Sequence, residues 1–379
     1  MNDKKIKVMQ FVGGFNVGGA EAIVKQYCLL FNPQIIDLIV LCIHNFHSIY
    51  DEELKRHGIK VIYVDDFIDR KLISPYCVKR VFHRILRVFI IKKVINQWKP
   101  DIIHTHLEVN SYIRHASINY NPVLVHTAHS DPEFLWNQSR AGKRDRRALE
   151  WLARHYRIYM IALHDNMRIR INNMFHIDDT VVFNNGIDIQ RFLDAGKKHI
   201  LRKKYGVKED VFVVGNVASL SPVKNHSFLM DVFNHILKKE PCSELWLVGT
   251  GKNEKALKEK AKKLKIADHV VFWGRRNDIP HILKMMDVVG FPSFYEGLSV
   301  SLVESQVAGI PAIVSDKVSA FTKISNYLTF CSLDQGAEYW ADRMLEYKDA
   351  DVEPGYVDIE NWDIQSVVKK LESYYLDLV

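Results

Sequence analysis

Short runs of apolar residues alternate along the chain with longer stretches in which apolar residues recur every three or four positions. The short runs are typical of buried parallel strands, and the longer stretches are typical of amphipathic helices. Regular alternation of the two predicts doubly wound parallel sheets, whose ligands lie at the carboxyl ends of the strands. The predicted strands are residues 6–12, 35–43, 60–64, 101–105, 123–126, 159–163, 181–183, 211–216, 244–248, 269–273 and 288–291.

The length of the chain indicates two domains, because 379 residues exceed what one compact core usually holds. A polar, lysine-rich stretch at 194–209 reads as a linker followed by the first helix of a second domain. We therefore predict an α/β protein with two Rossmann-like doubly wound domains, at 1–195 and 196–360. Residues 361–379 form a predicted final amphipathic helix.

Composition narrows the class of protein. With 47% hydrophobic and 26% charged residues, the chain reads as globular. It contains no apolar run near the roughly 18 residues of a membrane span, and its charged start is not a signal peptide, so we expect a cytoplasmic protein. Five cysteines without a Cys-x-x-Cys pair fit a reducing compartment and argue against zinc. A net charge of +7 favours anionic partners, among them nucleotide donors, anionic lipid and nucleic acid.

A strand, a turn and a helix start follow one another between residues 288 and 307. The apolar run 288–291 ends at Pro292, and apolar residues recur at helical spacing from Ser301 onward. Ser299 or Ser301 can cap that helix, which leaves unpaired backbone amides near 298–301 at the positive end of the helix dipole. Such amides are a natural seat for a phosphate.

Two carboxylates flank this seat. Glu296 lies just before it, and Glu304 lies about one turn inside the helix. At about 1.5 Å of rise per residue, a diphosphate held at the turn could have its sugar near one carboxylate and its ribose near the other. Two glutamates at this spacing also occur by chance in solvated helices, so the spacing alone does not decide their role.

A glycine-rich turn, which includes Gly18 and Gly19, follows the first predicted strand and precedes a helix. Glycines let the backbone approach a ligand closely, and the helix N-terminus favours an anion. The spacing is not that of a dinucleotide fingerprint, and a purely steric role for these glycines is the alternative.

Histidines gather at the ends of two predicted strands, as His104, His106, His126 and His129. Neighbouring strand residues point to opposite faces, so we expect the two pairs to split differently between the faces of the sheet. No aspartate, glutamate or cysteine completes a ligand set with the spacing of a zinc site, so we predict no metal centre. A structural role for these histidines stays open.

Basic residues concentrate in two places. A helix predicted at 76–98 carries an apolar stripe flanked by cations, and such a helix either lies in an anionic membrane interface or packs its stripe on the sheet. A second cluster, in a polar loop and helix start, is either a surface for an anionic acceptor or lipid, or a solvated face. The stripe comprises Val78, Val81, Phe82, Ile85, Leu86, Phe89 and Val94, flanked by Lys79, Arg80, Arg84, Arg87, Lys92 and Lys93; the second cluster comprises Arg140, Lys143, Arg144, Arg146 and Arg147.

The stretch from 291 to 311 resembles the Glu-x7-Glu signature of retaining glycosyltransferases with the GT-B fold, particularly family four of the sequence classification. The usual Gly-Leu-Pro reads Gly297-Leu298-Ser299 here, a mild departure. The resemblance is strongest from 211 to 316 and continuous but weaker before that range. The residues that match are Glu296, Gly297, Leu298, Glu304, Ala308, Gly309 and Pro311.

This resemblance implies roles for residues of both domains. Glu296 would contact the donor sugar, Glu304 would contact the ribose hydroxyls, and the backbone amides between them would hold the diphosphate. In the first domain, Gly18-Gly19-Ala20-Glu21 resembles the loop that lines the donor phosphates and the acceptor. Residues 125–130 resemble the loop with the active-site histidine, here His129, which hydrogen-bonds the sugar. The amides are those of Leu298, Ser299, Val300 and Ser301.

The segment Asn184-Asn185-Gly186-Ile187-Asp188 resembles the one that precedes the interdomain linker of the family, although Asn-Gly also suits an ordinary tight turn. The resemblance further implies that the last helix crosses back to the N-terminal domain.

A second basic motif of the family is incomplete in this sequence. Lys224 matches the lysine that contacts the donor diphosphate, but the position of the accompanying arginine is occupied by Ser219. A serine cannot replace the permanent charge and bidentate contact of a guanidinium. By position near the nucleotide, Arg275 and Arg276 are candidates to compensate.

The resemblance implies a retaining glycosyltransferase that needs neither metal nor cofactor and uses a nucleoside-diphosphate sugar, expected to be UDP-linked. The expected acceptor is a glycan, most simply a lipid-linked oligosaccharide of capsule or exopolysaccharide assembly. The positive charge fits peripheral contact with anionic membrane at the inner face of the cell membrane.

Other functions remain open. With Ser219 in place of the arginine, the chain could bind nucleotide or glycan without catalysis and stabilise a partner glycosyltransferase. A nucleotide-sugar epimerase or a phosphorylase of the same fold is less well supported, since no pyridoxal-bearing lysine is identifiable. Nucleic-acid binding would explain the charge, but no motif supports it.

Overall fold

The computed structural model describes residues 5–16, 18–68, 76–130, 132–137, 139–296, 298–348, 350 and 359–379. Gly297 of the predicted turn lies outside the described residues, as do the side chains of Val78, Lys79, Arg80 and Val81 in the predicted basic helix. The chain divides into two compact units, Met1–Gly186 with Asn361–Val379, and Ile187–Glu360. The division falls within the Asn-Gly-Ile-Asp segment, whereas the sequence prediction put the domain boundary at 195/196.

The first unit alternates strands and helices from its first strand onward. Its elements are β1 (Ile6–Val12), α1 (Gly19–Leu30), β2 (Ile36–Cys42), α2 (Ile49–Arg56), β3 (Lys60–Tyr63), α3 (Tyr76–Trp98), β4 (Ile102–His106), α4 (Asn110–His115), β5 (Val123–Thr127), α5 (Pro132–Asn137), α6 (Arg140–His155), β6 (Ile158–Ala162), α7 (Asp165–Phe175) and β7 (Val181–Val182).

Within the described part of this unit, seven parallel strands form one sheet in the order β3-β2-β1-β4-β5-β6-β7. The central strands β1 and β4 are buried along almost their whole length, although β4 carries His104, Thr105 and His106. The chain direction around the sheet reverses between β1 and β4, which leaves a crevice between the loops that follow these strands.

The second unit repeats this architecture. Its elements are α8 (Ile189–Leu193), α9 (Lys198–Tyr205), β8 (Phe212–Val217), α10 (His226–Lys239), β9 (Ser243–Val248), α11 (Glu254–Leu264), β10 (Val270–Gly274), α12 (Ile279–Met285), β11 (Val288–Phe291), α13 (Val300–Val307), β12 (Ala312–Ser315), β13 (Leu328–Cys331) and α14 (Gly336–Leu345).

Six parallel strands among the described residues of the second unit form a sheet in the order β10-β9-β8-β11-β12-β13. The core on one face of the sheet includes the fully buried Phe233 and Trp340. The strand order reverses between β8 and β11, so the loops after these two strands border the crevice of this unit.

Two helices, α15 (Ile359–Trp362) and α16 (Ile364–Leu378), follow the second unit, and α16 packs on the first. Tyr375 lies against Phe31 at the end of α1, with ring centroids 5.8 Å apart. At Gly186 an added Cβ would come within 2.6 Å of the Cα of Ile364, so only glycine fits beneath the start of α16.

The eleven predicted strands are confirmed to within one residue at each end. The predicted apolar stripe of α3, in contrast, is only partly covered among the residues whose side chains are described. Ile91 and Ile95 are buried, whereas Phe82, Ile85 and Phe89 of the stripe are exposed, so the alternative that the stripe packs on the sheet does not hold for these three residues. Among the described helices, none combines the length and apolar character that crossing a membrane requires.

Candidate active site

The crevice of the second unit brings together two of the predicted catalytic residues. The ammonium of Lys224 forms an ion pair with Oε1 of Glu296. The two side chains are only 15% and 16% exposed. The same ammonium lies 4.9 Å from the centre of the Phe291 ring, at the end of β11. A lysine and a glutamate from the loops after β8 and β11 therefore meet where the strand order reverses.

Local backbone geometry brings Lys224 to this position. Residues Pro222–Lys224 form one turn of 3-10 helix, and Asn225 follows in the left-handed region with φ of 51°. The amide of Phe294 donates to the carbonyl of Val223 at 2.9 Å, which ties this turn to the loop after β11. Asparagine tolerates the left-handed conformation better than most residues, so the sequence suits the turn.

Glu304 lies one turn inside α13 and is partly buried. Burial raises the pKa of its carboxyl to about 7, and the positive charge of Arg191 opposes this shift. Arg191 belongs to α8, and its guanidinium donates to the carbonyl of Asn277 at 3.0 Å. At neutral pH this carboxyl is therefore divided between its protonated and ionised forms, and it can both donate and accept a hydrogen bond.

The helix start is close to the predicted position, but its cap differs. Ser299 is the N-cap residue of α13, and its hydroxyl makes no capping hydrogen bond. The expectation that Ser299 or Ser301 caps the helix is therefore wrong for the Ser299 side chain, which contacts the Ser301 hydroxyl at 3.2 Å instead. The first-turn amides of a helix have no partner within the helix, and those of Val300 and Ser301 occupy this position. Leu298 and Ser299 themselves are buried.

The two candidate arginines occupy different environments. Arg276 forms a bidentate ion pair with Asp278, with distances of 2.8 and 2.6 Å, and this partner lowers the pKa of the Asp278 carboxyl to about 2. Arg275 is exposed, and no described residue pairs with it. Both follow β10, which is two strands away from β8, and Ser219 lies exposed after β8.

In the first unit, His129 is the end of a chain of buried hydrogen bonds. Its Nε2 lies 2.9 Å from Nδ1 of His106, and Nε2 of His106 lies 2.6 Å from the side-chain oxygen of Gln10. Gln10 donates through Nε2 to the hydroxyl of Tyr375 in α16 at 2.9 Å. That hydroxyl also contacts Nδ1 of His104 at 2.5 Å.

The direction of these hydrogen bonds assigns the proton of each ring. Because the oxygen of Gln10 can only accept, His106 carries its proton on Nε2, and its Nδ1 accepts from Nε2–H of His129. Burial lowers the pKa of His129 to about 4, opposed by the nearby side chain of Asn185, so the ring is neutral at pH 7. Nδ1 of His129 is thus a buried acceptor, and it has no hydrogen-bond partner among the described residues; the same holds for Oδ1 of Asn185.

His126 takes no part in this chain. Its Nδ1 lies 2.9 Å from the hydroxyl of Thr105, and its ring packs near Trp136. The four histidines therefore divide into His126 on one side and the other three in a neutral network on the other. Within the described residues, no group of three or more histidine, cysteine, aspartate or glutamate side chains is arranged to hold a metal ion.

Gly18 and Gly19 lie at the start of α1, Gly18 as its N-cap residue. An added Cβ at Gly18 would lie 2.5 Å from Oε2 of Glu21, so the Glu21 carboxyl folds back against this glycine. Burial raises the pKa of that carboxyl above its ordinary value. These residues and His129 belong to the first unit, whereas Lys224, Arg275, Arg276, Glu296, Glu304 and the helix start belong to the second.

Sequence reasoning missed the residues that orient the candidates. Arg191 beside Glu304, and Gln10 and Tyr375 behind His129, were not among the predicted site residues. The only local signal for Arg191 is its position in the short helix that follows the Asn-Gly-Ile-Asp segment, directly before Phe192. Gln10 stands alone as a polar residue in an apolar strand, a signal that marks a buried polar group in need of a partner.

Comparison with known protein families matches both units. The model described as Glycosyltransferase Family 4 matches residues 17–191, and the model described as Glycosyl transferases group 1 matches residues 197–329. The putative glycosyltransferase EpsF of Bacillus subtilis is 27% identical over 350 residues, which cover 90% of this chain and 88% of the relative. The UDP-Gal:alpha-D-GlcNAc-diphosphoundecaprenol alpha-1,3-galactosyltransferase of Escherichia coli is 28% identical over 69% of this chain and 70% of its own length.

Solved structures show the same fold. Anabaena HepE in complex with UDP-glucose aligns with a TM-score of 0.71 at 20% identity, covering 98% of this chain and 96% of that one. WaaG, a glycosyltransferase involved in lipopolysaccharide biosynthesis, aligns with a TM-score of 0.68 at 14% identity, covering 97% and 99%. The two parallel-sheet units, the two family models and these relatives together identify the chain as a GT-B glycosyltransferase of the family-four type.

Proposed function

We propose that this glycosyltransferase transfers a sugar from a UDP-sugar to a hydroxyl of a lipid-linked glycan, with retention of the anomeric configuration, during synthesis of a cell-surface polysaccharide. The observation that carries the proposal is the contact of Lys224 with Glu296, beside the start of α13 and one turn from the half-buried Glu304. A nucleoside-diphosphate sugar requires positive charge and amides for its diphosphate, and hydrogen-bonding groups such as carboxylates for its sugar and ribose hydroxyls.

The diphosphate of the donor would bind the amides at the start of α13 and the ammonium of Lys224. Positive charge from a helix N-terminus and a lysine stabilises the diphosphate most when it carries the full charge of a leaving group. In this proposal Lys224 turns from Glu296 to the phosphate oxygens when the donor binds. Glu296 is then free to accept hydrogen bonds from the sugar hydroxyls.

Glu304 would bind the ribose of the nucleotide. Its raised pKa makes the protonated and ionised forms similar in free energy near pH 7, and a vicinal diol can serve either form because each hydroxyl both donates and accepts. Arg191 would keep the carboxyl in place through its charge, since its guanidinium is itself fixed by the carbonyl of Asn277.

Neutral His129 would bind the sugar through Nδ1. A buried acceptor without a partner is unfavourable, and a sugar hydroxyl that donates to it would remove that cost. The oxygen of Asn185 is a second unpartnered acceptor near the same ring and suits a second hydroxyl.

The reaction itself would follow the pattern that the family resemblance implies. The acceptor hydroxyl forms a bond to the anomeric carbon on the face from which the diphosphate leaves, while the bond from that carbon to the diphosphate oxygen breaks. The proton of the acceptor hydroxyl passes to the departing diphosphate. No metal or cofactor takes part in this scheme, because Lys224 and the helix amides neutralise the leaving group.

The names of similar proteins support the proposed substrates. HepE was crystallised with UDP and with UDP-glucose, and the relative from Escherichia coli is named for a UDP-linked donor and a diphosphoundecaprenol-linked acceptor. EpsF and EpsD of Bacillus subtilis are named as putative glycosyltransferases. We propose that the protein works at the cytoplasmic face of the membrane, where its net charge of +7 favours peripheral contact with anionic lipid.

One observation favours a second candidate, a nucleotide-binding partner that stabilises another glycosyltransferase without catalysing transfer itself. Ser219 is exposed and uncharged where the family pattern has an arginine, and Lys224 is paired with Glu296. Turnover separates the two candidates, since only the enzyme releases UDP from its donor.

Calorimetry with a panel of UDP-, GDP- and ADP-sugars tests the proposal. We expect one UDP-sugar to bind the wild-type protein, with an affinity that Glu304→Gln lowers about 10-fold or more through loss of ribose contacts. Glu209→Gln, which changes an exposed glutamate of the same unit, is the matched control and should bind like the wild type. Binding that is insensitive to Glu304→Gln, or absent for all UDP-sugars, would overturn the donor-site assignment. Binding without UDP release in the presence of acceptor would favour the partner candidate.

A further inference from the structure

A pocket of about 440 Å³ lies in the first unit, where the strand order reverses between β1 and β4. It is lined by the turn after β1, by His44 and Phe46 after β2, and by side chains of α3, α4 and α6. At Gly14 an added Cβ would come within 2.6 Å of the carbonyl oxygen of His44, and φ is +149°. Glycine at this position therefore lets the turn after β1 pack directly against the loop after β2.

Two arginines line the pocket without a counterion among the described residues. Arg84 comes from α3 and Arg144 from α6, and neither forms an ion pair or a side-chain hydrogen bond with a described residue. Nε of Arg144 is buried and has no hydrogen-bond partner. Burial and the nearby charge of Arg144 lower the pKa of Arg84. Two like charges with an unpaired buried donor are costly, and a bound anion removes that cost.

Arg87, Glu21 and Glu108 are the other charged side chains that line the pocket. Arg87 binds Asp65 in a bidentate pair at 2.7 and 2.9 Å, so its charge is neutralised. The carboxyl of Glu21 folds against Gly18, and that of Glu108 accepts a long hydrogen bond from Ser139 at 3.4 Å. Neither carboxyl pairs with an arginine, so Arg84 and Arg144 are the lining arginines that have no counterion among the described residues.

A second cavity of about 410 Å³ adjoins the first through Arg84. Its other lining residues are Ile85, Val88 and His115, so its surface is mainly apolar. Next to it on α3, the aromatic rings of Phe82 and Phe89 are exposed. An anionic group in the arginine pocket would thus have a hydrocarbon surface beside it, which suits an amphiphile and not a simple anion.

We propose that this pocket binds the phosphate or diphosphate of a lipid-linked acceptor, with Arg84 and Arg144 on the phosphate oxygens and Ile85 and Val88 against the adjoining hydrocarbon. Guanidinium groups present the fork of donors that matches phosphate oxygens. The inference rests on the proposed function, because it supplies a subsite for the acceptor of that reaction. The residues are separate from Lys224 and Glu304, which belong to the other unit.

Calorimetry of the full chain with geranyl diphosphate, a short and soluble isoprenoid diphosphate, tests the pocket directly. We expect binding that Arg84→Gln and Arg144→Gln each weaken by on the order of 10- to 100-fold, the effect of losing a charge-assisted contact. Arg84→Lys and Arg144→Lys keep the charge but lose the fork, and should weaken it less. Arg154→Gln removes an exposed arginine from the same helix as Arg144 and is the matched control, with unchanged binding expected.

Three further measurements separate the sources of the phosphate. Inorganic diphosphate should bind through the same arginines but more weakly. Ile85→Ser should lower the affinity for geranyl diphosphate and leave the affinity for inorganic diphosphate unchanged. Phosphatidylglycerol vesicles measure general attraction to an anionic bilayer, and vesicle binding should be much less sensitive to the two arginines than geranyl diphosphate binding. Saturating UDP should leave geranyl diphosphate bound, because Lys224 and Glu304, which would hold the nucleotide in the proposed function, belong to the other unit.

The assignment is overturned if geranyl diphosphate binds the folded Arg84→Gln and Arg144→Gln variants as tightly as the wild type, or if UDP displaces it. An equal loss of affinity in Arg154→Gln would show that binding depends only on the overall positive charge, and it would also overturn the assignment. Failure of the proposed function gives a different result. In that case UDP-sugars would not bind in a Glu304-dependent way, while geranyl diphosphate would still depend on Arg84 and Arg144.

Discussion

The hydroxyl of Tyr375 accepts a hydrogen bond from the side-chain nitrogen of Gln10 at 2.9 Å, which joins the last helix of the chain to the middle of the first strand. Both side chains are fully buried. The same hydroxyl contacts His104, and the other end of Gln10 contacts His106, which in turn accepts from His129. A residue of α16 therefore orients the candidate sugar-binding histidine without contacting it.

Tyr375→Phe should destabilise the protein by about 1–3 kcal/mol, because it leaves the buried side-chain nitrogen of Gln10 and Nδ1 of His104 without a hydrogen-bond partner. Chemical denaturation measures the loss of stability, and the slope of the unfolding free energy against denaturant concentration should be the same as in the wild type. Tyr374→Phe is the matched control, since the hydroxyl of Tyr374 is buried and has no hydrogen-bond partner among the described residues, and its removal should cost nothing. Equal effects of the two substitutions would contradict the hydrogen-bond chain.

Glu304 gives the stability of the protein a defined dependence on pH. In the native state its pKa is about 7, above the ordinary 4.5 of the unfolded chain, so the unfolded state loses this proton first as pH rises. The contribution of Glu304 to stability is therefore greatest below pH 4.5 and is lost as pH rises to 7. Buried Asp145, with a pKa raised to about 7, acts in the same direction.

Glu304→Gln removes the titrating group and should raise the melting temperature relative to the wild type more at pH 8 than at pH 5. Thermal melts of both proteins across this range provide the measurement. The exposed Glu209→Gln serves as control and should give the same difference at both pH values. If the difference in melting temperature between the wild type and Glu304→Gln stayed constant with pH, Glu304 would have an ordinary pKa.

Lys224→Gln should lower kcat by about 10²- to 10³-fold, the effect of removing one preorganised group that stabilises a developing negative charge. It also leaves Glu296 without its cation at an 84% buried position, where the carboxylate would repel the donor diphosphate. Steady-state kinetics with the cognate UDP-sugar measure the change. Lys263→Gln, on the exposed face of α11, is the matched control and should leave kcat unchanged. A kcat that survives Lys224→Gln would exclude Lys224 from leaving-group stabilisation.

Ser219→Arg restores the guanidinium of the family pattern at an exposed position, so the substitution should not disturb folding. We expect donor affinity or kcat/KM to rise about 10-fold, the effect of one added charge-assisted contact to a phosphate. Ser219→Gln has similar size without charge and should leave both unchanged. If Ser219→Arg has no effect, another cation already occupies this part of the donor site.

The strands of both sheets could be predicted because each is a short apolar run bounded by polar or turn residues. β12 (Ala312–Ser315) and β13 (Leu328–Cys331) were not predicted. The sequence left two alternatives open for the apolar stripe of α3, because a helix with apolar residues on several sides has no single periodicity. Ile91 and Ile95 pack, while Phe82 and Ile85 face outward.

Glu296 and Glu304 could be identified because the strand, turn and helix that carry them are continuous in sequence. Their partners could not. Lys224 meets Glu296 across 72 positions, and Gln10 meets Tyr375 across 365, and only the order of the strands in each sheet brings such pairs together. The shift in the pKa of Glu304 depends on burial and on Arg191, neither of which local spacing encodes.

The most direct test of the proposed reaction is the anomeric configuration of its product. The purified protein would be incubated with the UDP-sugar that binds it and with a short-chain isoprenyl diphosphate-linked glycan, and proton NMR would be recorded on the product. Retaining transfer predicts an α-linked product from an α-linked donor, absent with Lys224→Gln. A β-linked product would contradict the retaining mechanism, and UDP-sugar binding without any product would contradict the enzyme function itself.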